Sequence, residues 1–299
     1  MGRRAKINTK KRNRRIILLA ALAVAVVAIV GFAYLIEGTF APSPYSSYIY
    51  KPVPSTLLQQ VTGVSDSTLA AVGSASSVSS PRAINGSALT LNGKPEIIYI
   101  GAEYCPYCAV ERWAMIMALS KFGNFSGIQY MLSSGSDVNP NTPTFTFQNA
   151  TYVSQYISFV PIEEFNRTNE ATPWHTLTTA EDALVSSYGS GGIPFIDLGN
   201  QYVVNGVQTT IDLQGQNWTQ VASQLNNPTS STAIGIDGAA NKLVSAICLM
   251  DGEVPSAVCS QNYATIPLSY SSPGATSSAL AASSIFSANM MGEKTRWTS

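Results

Sequence analysis

The sequence predicts an α/β domain preceded by one N-terminal membrane-spanning helix. A charge-free apolar run at residues 16–36 predicts the helix. Beyond it, short apolar or β-branched runs alternate with segments of helical periodicity, which indicates strands and helices in alternation. About 190 residues carry this pattern, which is enough for one domain with its own hydrophobic core.

The N-terminal segment is strongly basic. Residues 1–15 hold eight of the seventeen Lys and Arg side chains and no acidic side chain. The apolar run at 16–36 can cross about 30 Å of hydrocarbon as a helix, and it is longer than the ~7–15 apolar residues of a cleaved signal peptide. By the positive-inside rule we expect a cytoplasmic arm at 1–15, an uncleaved anchor at 16–36 and an extracytoplasmic remainder. A cleaved signal peptide is the alternative.

The remainder of the chain is acidic. From residue 38 onward there are nine Lys and Arg against sixteen Asp and Glu, a net charge of 9 − 16 = −7. This balance argues against nucleic-acid binding, because no basic patch is available to displace counterions from phosphate. Charged residues make up 11% of the whole chain, against a usual ~25%. We hypothesise that uncharged polar side chains keep the domain soluble in an acidic exterior.

Composition divides the extracytoplasmic part into three segments. Residues 37–81 are rich in Pro and Ser and predict a stalk, with one short helix around 55–61. Residues 82–268 form the predicted domain. Residues 269–299 are rich in Ser and Ala and predict a low-complexity tail.

Two strands and a helix are predicted around the first cysteine pair. Segments 87–91 and 96–100 favour strands and are separated by Asn92 and Gly93, a strong hairpin signal. The second run is continuously apolar, as expected of a strand covered on both faces. A helical repeat at three- and four-residue spacing follows the cysteines and stops at Gly123. The next strand is predicted at 128–132.

Cys105 and Cys108 lie at the junction between this strand and this helix. Cys105 comes just before the first helical turn, where unpaired backbone N–H groups and the positive end of the helix dipole favour a thiolate. Pro106 suits the first turn because that position needs no N–H partner. The spacing predicts a redox centre in which Cys105 exchanges disulfides with a substrate and Cys108, one turn along, resolves the mixed disulfide. A structural disulfide and half of a metal site are the alternatives.

Two segments carry a resemblance to a known superfamily. GAEYCPYCAVERWA resembles the active-site segment of the thioredoxin superfamily, and CPYC is typical of glutaredoxins. GGIPFID resembles the cis-proline loop of the same superfamily. The chain is also similar to an uncharacterised family of archaeal membrane-anchored thioredoxin-like proteins, a domain of unknown function. The resemblance implies a thioredoxin-like fold, in which helices flank a central mixed sheet, with Cys105 and Cys108 as catalytic residues and Tyr107, Ile193 and Pro194 at the substrate.

The spacing of the two segments departs from the superfamily pattern. Pro194 lies 194 − 108 = 86 residues after Cys108, a longer interval than thioredoxins have. We therefore expect an insertion at 135–190 before the cis-proline loop. Its pattern predicts strands at 144–147 and 156–160 and a helix at 178–188.

A second departure concerns proton transfer. Thioredoxins carry a buried Asp six residues before the first cysteine, and Tyr99 occupies that position here, which argues against a thioredoxin-style reductant. Glu103 is expected to be a solvated carboxylate on the loop, with a role as proton carrier as the alternative. The tetrapeptide alone does not build a glutathione site, so no cofactor is predicted.

Cys248 and Cys259 form the second cysteine pair. A bridge between them would pin the end of a helix predicted at 239–250 to the following segment, and we predict a structural disulfide. A second redox pair that relays electrons and a zinc site built from all four cysteines are the alternatives. His175 is the only histidine, which excludes a His-based triad and a multi-His metal site and leaves a surface loop as its expected place.

These observations lead to one expected function and one alternative. We expect an extracytoplasmic thiol–disulfide oxidoreductase, anchored by 16–36, that exchanges with protein thiols and disulfides of secreted or surface proteins and with a membrane redox partner. No metal is expected in its site. The alternative is a non-catalytic thioredoxin-like module that binds or chaperones partners, with both cysteine pairs structural.

Overall fold

The computed structural model describes residues 14, 17–29, 31, 43–84, 86–168 and 172–268. The predicted tail 269–299 lies outside these residues, as does the predicted cytoplasmic arm 1–15 apart from Arg14. The chain divides into two compact units, and the boundary between them in the sequence lies between Pro44 and Tyr45.

The first unit contains a short apolar helix, α1 (Ile17–Ile29). Its described side chains are exposed all round, among them Leu18, Leu22 and Val27. A helix that is apolar on every face is typical of a buried or membrane-spanning segment. α1 is thus the candidate for a membrane anchor, and the other residues of the predicted span at 16–36 lie largely outside the described part of the chain.

The second unit is a mixed α/β structure, as the sequence predicts. Its described residues contain seven α-helices: α2 (Ser55–Thr62), α3 (Asp66–Val72), α4 (Pro106–Leu119), α5 (Thr179–Leu184), α6 (Trp218–Leu225), α7 (Ser231–Asp251) and α8 (Ser256–Cys259). A short 3₁₀ helix, Ser46–Tyr48, precedes them. The described residues also contain ten strands: β1 (Arg82–Ala83), β2 (Thr90–Leu91), β3 (Lys94–Ala102), β4 (Gly123–Ser126), β5 (Gln129–Leu132), β6 (Pro143–Thr146), β7 (Thr151–Ser154), β8 (Ser158–Phe165), β9 (Phe195–Leu198) and β10 (Tyr202–Asn205).

A central mixed sheet organises the second unit. Its strand order is β1-β10-β9-β3-β2, with β8 paired to β3. β3 runs parallel to β8 and antiparallel to β9, and β10 runs antiparallel to β9. β3 is buried from Ile97 to Ala102, which confirms the continuously apolar strand read from the sequence. Asn92 and Gly93 both have positive φ in the turn between β2 and β3, as the hairpin signal predicts.

Helices cover the sheet and complete the core. α4 packs against α7, and both are buried along most of their length. α7 is long and apolar enough to span a membrane, but its side chains are buried within the domain, so it is a core helix. The predicted helix at 239–250 is thus the second half of the longer helix α7. The amphipathic helix α6 packs against α7.

The predicted stalk is wrong for residues 45–81. α2 confirms the short helix expected around 55–61, but the segment folds with the second unit, and Leu57, Val61 and Leu69 lie in its main core. α3 begins at a Ser65 cap, whose side chain accepts a hydrogen bond from the Thr68 N–H. The apolar residues that pack into the core are interspersed with Pro and Ser, so the average composition of the segment did not indicate that it folds with the domain.

The predicted insertion at 135–190 needs a correction. It contains β8, the parallel neighbour of β3 in the central sheet, so the segment as a whole does not lie outside that sheet. The strand predicted at 128–132 is present as β5, but it pairs with β6 in a separate ribbon, and β4 pairs with β7 in another. The helix predicted at 178–188 divides into α5 and a π-helical turn, Val185–Gly189.

Candidate functional site

The first cysteine pair lies where β3 passes into α4. Cys105 is the N-cap of α4, and its Sγ accepts a hydrogen bond from the backbone N–H of Cys108 at 3.1 Å. Pro106 occupies the first turn, where a missing N–H leaves no helical hydrogen bond unmade. An N-cap that is itself a cysteine brings its sulfur to the N–H groups and positive dipole end of the helix.

The two sulfurs differ in access. Both cysteines are free thiols, and they pack with Ala102 in a small apolar cluster. Cys105 retains 4% exposure and Cys108 has 0%. Cys105 is thus the more accessible of the two cysteines. Their roles in disulfide exchange stay a prediction.

A loop that is distant in the sequence contacts the same cluster. Ile193 packs against the cluster, although 193 − 108 = 85 positions separate Ile193 from Cys108 along the chain. The Ile193–Pro194 peptide bond is cis, and β9 begins at the next residue. The Pro194 carbonyl accepts a hydrogen bond from the Gly206 N–H at 2.9 Å, which ties the loop to the end of β10.

A small pocket lies beside the CPYC segment. Tyr107 lines it, so Tyr107 borders both the cysteine cluster and the pocket. The lining contains no charged side chain: the other residues are Pro106, Val110, Asn139, Thr142, Thr209, Thr210, Ile211 and Leu213. The substrate-binding role predicted for Tyr107 stays a prediction.

Burial disfavours ionisation of the Cys108 thiol. Desolvation raises the pKa of its thiol well above the usual range, and the hydrogen bond and charge of Cys105 act in the same direction. The positive charge of Arg112 and a backbone hydrogen bond with Ala102 oppose this rise. Cys108 can therefore act as a nucleophile only if its surroundings stabilise the thiolate at the moment of attack.

An ion pair that sequence reasoning did not find lies beneath the cysteines. Arg112 donates from Nε to Glu163 Oε1 at 2.9 Å and from Nη2 to Glu163 Oε2 at 2.6 Å. Arg112 Nη2 also donates to the Ala102 carbonyl at 2.8 Å. Both side chains are buried. The available signal was an arginine four residues after Cys108 in a mostly apolar helix, and a glutamate that follows the apolar half of β8.

Glu103 is also buried, so the prediction of a solvated loop carboxylate is wrong. The Tyr50 hydroxyl donates to Glu103 Oε2 at 2.6 Å, and the Thr146 hydroxyl donates to Oε1 at 2.6 Å. Burial raises the pKa of Glu103, and the two hydrogen bonds partly offset that rise. Its role as a proton carrier stays a prediction. The partners are 53 and 43 positions away in the chain, which no local pattern could indicate.

The second cysteine pair forms a disulfide. Cys248 and Cys259 are bonded, with Cα atoms 5.5 Å apart, and the bridge joins the end of α7 to α8. Both belong to the main core, and Cys105 and Cys108 belong to a different cluster. Glu253 lies close enough to complete a group of three metal-binding side chains, but sulfurs bonded to each other offer no thiolate ligands. A zinc site of four thiolates is incompatible with this arrangement.

His175 lies on a surface loop, as predicted. Its ring Nε2 lies 3.0 Å from Gln148 Oε1, and its backbone N–H donates to the Glu164 carbonyl. The neighbouring Trp174 is exposed. The imidazole is thus engaged with an amide at the surface and has no contact with the cysteine cluster.

Comparison with known proteins gives one match. A family model described as Domain of unknown function (DUF929) matches residues 81–249. Neither a curated protein nor a solved structure matches the chain.

Proposed function

The chain belongs to the DUF929 family, a domain of unknown function, and we propose that it is a thiol–disulfide oxidoreductase that acts through Cys105 and Cys108. One observation carries the proposal: two free thiols share the first turn of α4, with the Cys108 N–H 3.1 Å from Cys105 Sγ. Structural cysteines in an oxidising compartment are normally bonded to each other, as Cys248 and Cys259 are.

The proposed reaction uses both sulfurs in turn. In the reducing direction, the Cys105 thiolate attacks a substrate disulfide, forms a bond to one substrate sulfur and releases the other as a thiolate. Cys108 then loses its proton and attacks Cys105 Sγ, which releases the second substrate sulfur and forms the Cys105–Cys108 disulfide. Two electrons pass from the protein to the substrate. The oxidising direction reverses the same steps, and a membrane redox partner with its own dithiol–disulfide couple restores the starting state.

We further propose that the domain has a thioredoxin-like fold. The cysteine pair directly follows the central strand β3, and Pro194 directly precedes β9, the antiparallel neighbour of β3. Both features match the segments that resemble the thioredoxin superfamily. On this reading the inserted material is the pair of two-stranded ribbons between α4 and β8.

The proposed location follows from the N-terminal segment. The basic arm 1–15 and the apolar helix α1 support a single-pass anchor with a cytoplasmic N-terminus. The domain would then face the cell exterior, where secreted and surface proteins supply thiols and disulfides.

Trapping of mixed disulfides in cells tests the proposal. With Cys108→Ala in the full chain, Cys105 still attacks a substrate disulfide but no thiol remains to resolve the product. We expect secreted or surface proteins to be captured on Cys105 and released by a reducing agent. The matched control is Cys105→Ser combined with Cys108→Ala, which should capture nothing.

The same experiment addresses the alternative function. If Cys108→Ala captures no protein on Cys105 while the chain is folded and present in the membrane, the oxidoreductase proposal fails. A non-catalytic binding or chaperone module would then be the better account.

A further inference from the structure

Tyr99 lies in β3 with its hydroxyl directed toward the end of the strand. Its side chain is fully buried. A Cβ placed on Gly101 would collide with the Tyr99 hydroxyl oxygen, so the ring runs along the strand face toward Gly101. Only glycine leaves room for the hydroxyl there. Within the described residues, this hydroxyl has no hydrogen-bond partner.

Arg112 supplies a second unused donor beside it. Its Nε and Nη2 atoms bind Glu163 and the Ala102 carbonyl, but Nη1 is buried with no partner in the described part of the chain. The guanidinium carbon lies 5.7 Å from the centre of the Tyr99 ring. Buried donors without acceptors are costly. Two of them on neighbouring side chains are explained if an acceptor forms only at one stage of the reaction.

Cys108 is connected to both side chains through Ala102 and Arg112. Cys108 packs against Ala102, whose carbonyl accepts a hydrogen bond from Arg112 Nη2, and the same guanidinium lies over the Tyr99 ring. The positive charge of Arg112 favours the Cys108 thiolate. The other charged or titratable groups that act on these side chains are Cys105, at the start of the same helix, and Glu163 on β8. Glu163 is already bound by Arg112 through both oxygens, which leaves Nη1 free for the sulfur.

On the basis of the oxidoreductase function proposed above, we infer that the Tyr99 hydroxyl and Arg112 Nη1 form a donor pocket that stabilises the Cys108 thiolate during resolution of the mixed disulfide. In this step Cys108 gives up its proton, which passes to the departing substrate thiolate. The Cys108 sulfur then bonds to Cys105 Sγ as the bond from Cys105 to the substrate breaks. The two donors of the pocket lower the activation barrier of this step, but neither gives up an atom or forms a covalent bond in it.

The pocket acts in a different way from a carboxylate base. Burial raises the pKa of Tyr99 well above its usual range, so the phenol stays neutral and can donate a hydrogen bond but cannot take the Cys108 proton. The tyrosine at the position of the thioredoxin aspartate would therefore lower the barrier by stabilising the thiolate itself.

Exchange with a chromogenic aromatic disulfide separates the two steps. When the reduced protein reacts with dithiobis(nitrobenzoate), attack by Cys105 releases one thionitrobenzoate. Resolution by Cys108 releases the second. Stopped-flow absorbance gives both rates as functions of pH, and Cys108→Ala identifies the second phase by removing it.

Tyr99→Phe is the decisive variant because it removes only a hydroxyl that has no partner in the resting fold. We expect the first phase to be unchanged and the second to slow by roughly tenfold, the effect of losing one hydrogen bond to a charged group. The pH midpoint of the second phase should rise. Arg112→Lys keeps the charge but loses the planar fork, and we expect it to slow the same phase.

The control is Tyr152→Phe, whose hydroxyl donates to the Leu119 carbonyl at the far end of α4. It should leave both phases unchanged. If folded Tyr99→Phe has the second-phase rate and pH midpoint of the parent protein, the donor pocket is refuted. If the parent protein itself releases no second thionitrobenzoate, the failure lies in the proposed function and not in the pocket alone.

Discussion

Cys105 and Cys108 lie one helical turn apart but in different surroundings. Cys105 caps the helix and retains slight exposure, and Cys108 is enclosed above a buried ion pair. In the proposed reaction, this difference is the reason for assigning attack to Cys105 and resolution to Cys108. The sequence was enough to predict the pair and its place before a helix, because the cysteines, Pro106 and the apolar strand are adjacent in the chain.

The side chains beneath the pair were beyond sequence reasoning. Glu103 lies on the loop next to the cysteines, where a solvated carboxylate is predicted, yet Tyr50 and Thr146 from distant segments donate hydrogen bonds to it. Glu163 likewise meets Arg112 across 51 positions. Burial of a charged side chain depends on such non-local contacts, which periodicity and spacing do not report.

Glu163→Gln tests the buried ion pair. The change removes one charge and leaves the Arg112 guanidinium buried without a counter-charge, so we expect the free energy of unfolding to fall by about 3–5 kcal/mol. Chemical denaturation of the reduced protein measures it. Asp66→Asn, at the exposed pair with Lys121, is the matched control and should cost about 0–1 kcal/mol. Equal losses in the two variants would contradict the structural role assigned to Glu163.

At the level of elements, prediction succeeded where the signal was local. The β2–β3 hairpin has Asn92 and Gly93 at its turn, and α4 has its repeat and its cap within one segment. β8 was predicted in part, as a strand at 156–160, but its parallel pairing with β3 was missed. Parallel neighbours are joined by long connections, so nothing in a short window identifies them.

α2 and α3 are predicted to be essential parts of the domain. Besides the apolar contacts of both helices, α3 and its C-cap supply backbone acceptors to α7: Asn241 Nδ2 donates to the carbonyls of Leu69 and Gly73. The buried Lys242 ammonium donates to the Val78 carbonyl in the segment that follows. A chain that begins at residue 82 loses these partners and exposes apolar surface.

We therefore expect a protein of residues 82–268 to lose near-ultraviolet circular dichroism and cooperative unfolding. A protein of residues 43–268, the matched control, should retain both. Cooperative unfolding of the shorter chain at unchanged stability would mean that the segment before residue 82 is an accessory to the fold.

At the scale of the whole molecule, buried carboxyl groups set the dependence of stability on pH. Burial raises the pKa to about 7 for Glu111, about 6 for Asp197, about 8 for Asp237 and about 6 for Asp251. Within the described residues, each has at least one buried oxygen without a hydrogen-bond partner. Between the unfolded and folded pKa values, the folded state binds more protons than the unfolded state. Stability is then lost as pH rises through that window.

We expect the free energy of unfolding to be larger at pH 5 than at pH 8, as measured by denaturant titration at both values. Asp237→Asn should reduce the difference in stability between pH 5 and pH 8, because it removes the group with the highest of these pKa values. The positive charge of Lys121 partly offsets the rise in the pKa of Asp237. Asp212→Asn, at an exposed loop position, should leave the difference intact. Greater stability at pH 8 would contradict the assignment. It would also remove support for the hypothesis of an acidic exterior.

The central claim is that Cys105 and Cys108 form a reversible redox couple, and its equilibrium potential tests that claim most directly. The measurement equilibrates the protein in thiol–disulfide buffers of known potential and counts reduced Cys105 and Cys108 by alkylation and mass spectrometry. Structural disulfides typically lie below about −300 mV. We predict a reversible two-electron transition well above that value, with Cys248–Cys259 still oxidised. A transition below about −300 mV, or no reversible transition, would contradict the account.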